Sequence, residues 1–374
     1  MKGGKLIEEA REKAIEVMDI CSTPNGLYAS GGKYGYASVW ARDSMISLIG
    51  ASAHTKKFRK VFAASLRTLA KHQSKNGQIP NCVDVFEKRD LVTFATLDSS
   101  LWFVIGNYFY KKRFGNDLWG RHKKNIEKAM QWTAFQDAGE DMLPEQLPTS
   151  DWMDCFPHRY GHCINTQALY YGAKKAGGNA NDLKEYKKKV DYYLWDSGLE
   201  YFLPWHWKDH GPHYSEKEEW FDSLGNMLAI VFGLASPAQA RKILGFVHRK
   251  RIDRPFPMKV IYPPIKKGSK EWQDYYKASL AGTPGDYLNG GIWPFVGGFY
   301  VAALVEAKKY AQAEEELERL AKANSLGHRF DWDFNEWIHP KTKKAEGSRH
   351  QAWSAGSYLL AYEAVKSRKN PLKL

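Results

Sequence analysis

Apolar positions recur every three to four residues along most of the chain, while clean two-residue alternation is scarce, so the pattern predicts a mostly helical protein. Read between Gly, Pro and Asn/Asp punctuation, it gives twelve helices, over 5–20, 43–54, 56–73, 97–113, 118–135, 163–176, 181–195, 221–233, 237–248, 292–308, 310–324 and 348–367. Many fall in tandem pairs with short joints, such as Lys309-Tyr310. One member of a pair is polar on one face (Asp182 to Asp191, Gln312 to Lys322) and the other nearly all apolar (Asp222 to Leu234, Ile292 to Ala307). A ring of buried helices inside a ring of amphipathic ones produces this contrast, so the expected fold is all-α, an (α/α)6 barrel formed by residues 1–374 as one domain. The segments 21–42, 137–162, 197–220, 249–291 and 325–347 read as long loops, rich in Trp, Asp, Glu, His and Pro, and loops of that length in a compact domain commonly carry function.

Composition narrows the class. Among 374 residues, 43% are hydrophobic and 26% charged, which excludes disordered, collagen-like and coiled-coil chains. No apolar run reaches the ~18 residues of a membrane span, and the charged start, Lys5 to Arg11, is unlike a secretory leader. Four cysteines without a CxxC suggest neither a disulfide framework nor a zinc site and fit a reducing, cytoplasmic setting. The net charge of +13 is scattered over amphipathic stretches, so a nucleic-acid or membrane partner is not expected. The unusual feature is aromatic: 14 Trp, 21 Tyr and 18 Phe exceed what one core needs, and surplus Trp suits a cleft for sugar rings.

Four clusters carry candidate chemistry. Trp40-Ala41-Arg42-Asp43-Ser44 and Asp98-Ser99-Ser100-Leu101-Trp102 stand at helix starts, where each Asp either caps backbone N–H groups or serves a ligand. Asp151-Trp152-Met153-Asp154 and Asp333-Phe334-Asn335-Glu336-Trp337 place carboxylates beside indoles in long loops. An apolar wall raises the pKa of one acid while another stays ionised, the requirement of general acid/base work. Two Trp-flanked carboxylates from distant loops are what glycoside hydrolysis by acid and base needs. His158, His162, His206, His210 and His350 supply the alternative, a sugar epimerase with histidine proton shuttles. A third possibility is a non-catalytic carbohydrate-binding protein.

In order along residues 22 to 365, the blocks Val39-Trp-Ala-Arg-Asp-Ser44, Asp98-Ser-Ser-Leu-Trp102, Trp152-Met-Asp154 with Tyr160-Gly-His162 and Gln167-Ala-Leu-Tyr170, Asn289-Gly-Gly-Ile-Trp-Pro294, Asn335-Glu-Trp337 and Gln351-Ala-Trp-Ser354 resemble the neutral/alkaline invertases. The similarity extends more widely to glucoamylases, processing α-glucosidases and the glucosidase half of glycogen debranching enzymes. The resemblance implies an (α/α)6 barrel, an inverting mechanism without metal or cofactor, and a small carbohydrate substrate from which a terminal α-glucosyl unit is cleaved. It assigns the general acid to Asp154, with Asp151 as the runner-up, and the general base to Glu336. Substrate contacts fall to Trp40, Arg42, Asp43, Asp98, Trp152, Gln167, Asn289, Trp293, Gln351 and Trp353, with Asp98 or Asp333 as possible supporting carboxylates. The sequence departs from the invertases in the acid loop, Asp154-Cys-Phe-Pro-His-Arg159 in place of two arginines soon after the acid, and in a shorter joint from Glu336 to Gln351. Both departures bear on the substrate, with sucrose, maltose-like glucosides and dextrin branches as the rivals, and leave the chemistry intact.

Overall fold

The structure, a computed structural model, describes residues 4–31, 35–84, 91–178, 181–328 and 330–374. Residues 32–34 of the first predicted loop and 329 of the last lie outside the described residues. In chain order the helices are α1 (Gly4–Cys21), α2 (Ala41–His54), α3 (Arg59–Lys71), α4 (Asp98–Phe114), α5 (Asp117–Arg121), α6 (Lys123–Ala134), α7 (Ile164–Ala176), α8 (Leu183–Leu194), α9 (Ser223–Val231), α10 (Pro237–Arg249), α11 (Pro294–Glu306), α12 (Tyr310–Ser325) and α13 (Ala352–Ser367). Helices α2, α4, α7, α9, α11 and α13 each pack on the next, and α13 returns to α2, so the six close a ring. Around it α1 lies on α13, α3 on α2 and α4, α6 on α4, α8 on α7, and α12 on α11 and α13. This is the (α/α)6 barrel.

Residue chemistry separates the two rings. From Pro294 to Val305 every residue of α11 is buried, and α2 is buried from Ala41 to Ser52. The outer α3, α8 and α12 bury only one stripe, for example Tyr186, Val190 and Leu194 of α8. Such helices satisfy both neighbours only where side chains are small. A Cβ on Gly50 of α2 would lie 2.1 Å from the Gly356 carbonyl oxygen of α13, and one on Gly356 2.3 Å from Ser47 Cα. Glycine is therefore required where these two backbones cross.

Direction along the barrel positions the site. Joints from an inner helix to the following outer one are short, such as 55–58 and 307–309, whereas 22–40, 72–97, 135–163, 195–222, 250–293 and 326–351 all lead from an outer helix to the N-terminus of the next inner one. The long loops therefore gather at one end, over the N-termini of the inner ring. They are braced by two- and three-stranded ribbons too short to show as alternation in the sequence, such as Val39–Trp40 against Cys82–Asp84 and Trp337–Ile338 against Ala345–Glu346.

Three element predictions need correction. The expected helix 118–135 is broken at His122, whose Nδ1 meets Asn107 Oδ1 of α4 at 2.8 Å and draws the chain inward between α5 and α6. The helix expected from 221 starts at Ser223, because Phe221–Asp222 pairs with Ile261–Tyr262 and Asp222 then caps α9 through Gly225 N at 3.0 Å. Residues 348–351 are not helical, and α13 begins at Ala352.

Candidate active site

At the loop end, a pocket of about 100 Å³ that opens to solvent is lined by Ala29, Tyr36, Trp40, Arg42, Asp43, Trp152, Asp154, Tyr287, Trp293, Glu336, Gln351 and Trp353. The inner helices α2, α11 and α13 aim their N-termini at it: Trp40, Trp293 and Gln351 are their N-caps, and Arg42, Asp43 and Trp353 stand in first turns. The partial positive charge of those helix ends favours carboxylates and hydroxyl oxygens there. The walls are aromatic. Trp293 stands edge-on to Trp152 at 5.7 Å and to Trp353 at 5.6 Å, and Phe295 stacks on Trp353 at 4.3 Å.

Charge is concentrated on one arginine. Buried Arg42 lies 3.5 Å from Asp98, 3.8 Å from Asp43 and 3.9 Å from Asp154. Burial lifts Asp43 and Asp98 to about 6, against the downward pull of Arg42. Neither Asp caps its helix; both face the guanidinium instead. Asp98, fully buried, stands behind Arg42 and does not line the pocket.

Asp154 opens to the pocket, its side chain 46% exposed, while crowding by surrounding protein raises its pKa, opposed by Arg42 and assisted by Asp151. Its loop is locked from beneath. Arg159, fully buried, bonds Asp151 at 2.6 Å and also Asp222, and Asp151 accepts Met153 N–H at 2.9 Å. Asp151 is thus buried in a clamp and turned away from the pocket, which removes the runner-up acid.

Glu336 comes from the opposite side. It precedes the ribbon Trp337–Ile338, which Ile292 joins by a bridge, so the base loop and the Gly290-Gly291 turn ahead of α11 are tied together. Its carboxylate accepts Ser348 N–H at 3.0 Å and the Tyr287 hydroxyl at 3.4 Å. Gly347, at φ +76°, closes over it so tightly that a Cβ would meet Glu336 Oε2 at 2.4 Å. Burial lifts Glu336 to about 7, the two donors pull it down, and Asp43 and Asp154 push it up. Glu336 thus feels Asp154 across one pocket.

Several buried polar atoms here have no hydrogen-bond partner among the described residues: Arg42 Nε, Asp43 Oδ2, both amide atoms of Gln351, and the indole N–H of Trp152 and Trp353. Buried donors and acceptors are nearly always paired in folded proteins, so a set converging on one pocket marks where a ligand with many hydroxyls would bond.

Besides Asp98, two more expected contacts lie outside the pocket lining. The Gln167 side chain is held in the core between Pro144 O at 2.8 Å and the Tyr186 hydroxyl at 2.6 Å. Asn289 fastens a loop, accepting Ile265 N–H at 2.7 Å and donating to Ile265 O and Ala281 O. Both amides are fully occupied by backbone or tyrosine, so neither reaches the pocket. Asp333 bonds Arg349 at 2.5 Å and supports the base loop from behind. Tyr36 and Tyr287 line the pocket without having been singled out from the sequence; the aromatic surplus was their only signal. Among the described residues no histidine lines it, and the five weighed as shuttles lie outside.

The model of the amylo-alpha-1,6-glucosidase family matches residues 15–360. The chain belongs to this family of glycoside hydrolases. Among curated proteins it is 25% identical to alkaline/neutral invertase E of Arabidopsis thaliana over 332 residues, covering 71% of this chain and 51% of that protein. Neutral/alkaline invertase 3 of Oryza sativa is 24% identical, with 72% and 53% covered. The chain thus spans about half the length of the curated relatives it matches. Among solved structures, a mannosylglycerate hydrolase from Thermus thermophilus superposes with a TM-score of 0.71 at 15% identity, covering 94% of this chain and 99% of that one. A rhamnosidase from Klebsiella oxytoca gives 0.68 at 13% identity, with 97% and 64% covered. These two likenesses establish the barrel. Among the described residues of this family member, no helix is long and apolar enough to cross a membrane.

Proposed function

We propose that the chain acts as one catalytic domain, an inverting glycoside hydrolase that removes a terminal α-glucosyl unit from a small carbohydrate. The observation that carries this is the pairing of Asp154 and Glu336, from separate loops, in one tryptophan-walled pocket with unpartnered polar atoms around it. In this reading Asp154, protonated, donates to the glycosidic oxygen as the bond to the anomeric carbon breaks. Glu336, ionised, takes a proton from the water that attacks the opposite face. A base that titrates near 7 is well matched to neutral conditions. Burial raises both carboxyls, opposed at Glu336 by the Ser348 N–H and the Tyr287 hydroxyl and at Asp154 by Arg42.

Arg42 has a second role. Together with Asp43 it holds the hydroxyls of the sugar at the cleavage point, and its charge balances the carboxylates around it. Trp40, Trp152, Trp293 and Trp353 offer apolar faces to the ring and Gln351 its amide. The invertase relatives support sucrose as a substrate and the family supports an α-1,6-glucosidic linkage. Four free cysteines suit the reducing, cytoplasmic setting expected of such an enzyme.

A proton NMR time course with sucrose, maltose, isomaltose and trehalose in parallel tests the reading. β-Glucose appearing first from one of them is the expected result. α-Glucose appearing first would keep the hydrolase and remove the water-activating role of Glu336.

A further inference from the structure

The cations of this chain are scattered along its sequence, and their spacing alone predicts no anionic partner, yet the barrel gathers them. All six inner helices run the same way, with their N-termini under the long loops, so their C-termini and the short joints after them share the opposite end. The tail 368–374 is fastened there too, by Asn370 to Val231 O of α9 at 2.7 Å and by Lys112 of α4 to Lys373 O at 2.8 Å. At this end α4 finishes on Lys111-Lys112-Arg113, α7 carries Lys174 and Lys175, the joint after α11 is Ala307-Lys308-Lys309, and α13 leads through Lys366 into Arg368-Lys369. Over the last four residues of each inner helix, those joints and the tail, thirteen lysines and arginines stand against two carboxyl side chains, Asp182 and Glu306. That excess is nearly the whole of the chain's net charge of +13.

Local roles absorb only part of it. Helix C-termini attract cations, but each carries roughly half an elementary charge, so six carry about three, well short of the excess. Lys174 is bonded to Asp182 at 2.5 Å, and Lys175 to Phe232 O, just beyond α9, at 3.2 Å. Burial pulls the Lys175 ammonium down, Lys187 and Lys373 add to it, and Glu306 opposes, the mark of cations crowded together. Among the described residues, Arg113, Lys308 and Lys369 have neither an ion pair nor a side-chain hydrogen bond, and all three are exposed.

What such a face meets follows from what it lacks. None of the exposed large hydrophobic side chains among the described residues falls in these segments. The face therefore offers neither the apolar anchors of a protein interface nor exposed rings on which single-stranded bases stack. As the end of a closed ring of helices, it spreads its cations over a layer instead of the stripe or single helix that duplex nucleic acid asks for. A layer of positive charge matches a layer of negative charge. We propose that this end of the barrel docks on a lipid bilayer containing anionic headgroups, held by charge without insertion, with the sugar pocket at the opposite end open to solution. The charge distribution alone carries this, whichever reaction the pocket performs.

Sedimentation of the full chain with vesicles tests it. Vesicles of phosphatidylcholine, alone or with about 30% phosphatidylserine, are compared at about 0.1 M and about 0.5 M salt, beside a duplex DNA of about 20 base pairs. The expected result is binding to the anionic vesicles alone, lost at the higher salt. Each cation near an anionic bilayer is worth about fivefold in affinity. The combined variant Lys111→Gln, Arg113→Gln, Lys308→Gln and Lys369→Gln should therefore bind about 10²- to 10³-fold more weakly, while circular dichroism shows it folded. Neutralising Lys266, Lys267, Lys341 and Lys343, exposed on the loops of the other end, should leave binding unchanged. No binding to the anionic vesicles at the lower salt, equal binding to phosphatidylcholine alone, or equal weakening by the two sets of substitutions overturns the docking. So does tighter binding, per phosphate, to the DNA than to the vesicles, which would make this end a nucleic-acid surface. No sugar enters the measurement, so its result is separate from that of the glycosidase reading.

Discussion

Replacing Arg42 by Met keeps an unbranched side chain in the α2 first turn but removes the one charge shared by Asp43, Asp98 and Asp154. In the wild type, Asp43 and Asp98 titrate at about 6 in the fold against an ordinary value of 3.8. The folded state therefore binds the proton more tightly than the unfolded chain, and stability falls as pH climbs from 3.8 to about 6, then levels off. At about 1.4 kcal/mol per pH unit, ionising each buried carboxylate already costs the fold about 3 kcal/mol with Arg42 present. Loss of a neighbouring cation raises a carboxylate by roughly 1 to 3 units more, which carries the decline in stability upward through neutrality. The variant should therefore resemble the wild type most closely at pH 5, where both folds hold protonated carboxylates and only the packing of Arg42 is lost. By pH 8 its deficit should be larger by about 2 to 4 kcal/mol. Urea unfolding at pH 5, 6.5 and 8, at constant ionic strength, measures this directly. A deficit that is the same at pH 5 and pH 8 would refute the electrostatic coupling argued for this cluster.

Other consequences follow from the same geometry. Tyr287→Phe removes a donor to ionised Glu336, so the acidic limb of the pH–rate profile, set by a group near 7, should move to higher pH while the alkaline limb stays. Gly50→Ala places a methyl group 2.1 Å from the Gly356 carbonyl oxygen and should destabilise the fold by about 1 to 3 kcal/mol or more, read as a fall in Tm. Gln167→Leu should lower stability by about 1 to 3 kcal/mol, by leaving Pro144 O without its donor and the Tyr186 hydroxyl with only the Gln167 backbone carbonyl, and leave KM unchanged, because Gln167 does not line the pocket.

The barrel was legible because burial on all sides leaves a mark in sequence: α11 and α9 read apolar or small at most positions, while the apolar residues of α8 and α12 recur every three to four residues. Helix starts were less legible where a short ribbon intervenes, since Phe221-Asp222 continues the apolar period and pairs with Ile261-Tyr262 only in three dimensions. The loop 72–97 leaves no comparable mark in the sequence, since its residues carry no Trp-flanked carboxylate. Trp40, Arg42, Asp43, Trp152, Asp154, Trp293, Glu336, Gln351 and Trp353, positions that the resemblance to the invertases picks out, line one pocket. Gln167 and Asn289 carry the same chemical types within equally suggestive blocks, and only the direction in which each amide points separates structural from lining residues. Asp151 and Asp154 were equivalent as neighbouring carboxylates until Arg159, eight residues on from Asp151, took the first into the interior.

The division of labour between Asp154 and Glu336 is tested most directly by comparing two leaving groups. Turnover of α-glucosyl fluoride, whose departure needs no proton, is measured beside that of the cleaved glucoside for Asp154→Asn and Glu336→Gln. The account predicts that Asp154→Asn loses about 10²- to 10⁴-fold on the glucoside but keeps much of its activity on the fluoride, whereas Glu336→Gln loses activity on both. Equal losses on both substrates for Asp154→Asn, or full activity of Glu336→Gln on either, would contradict it.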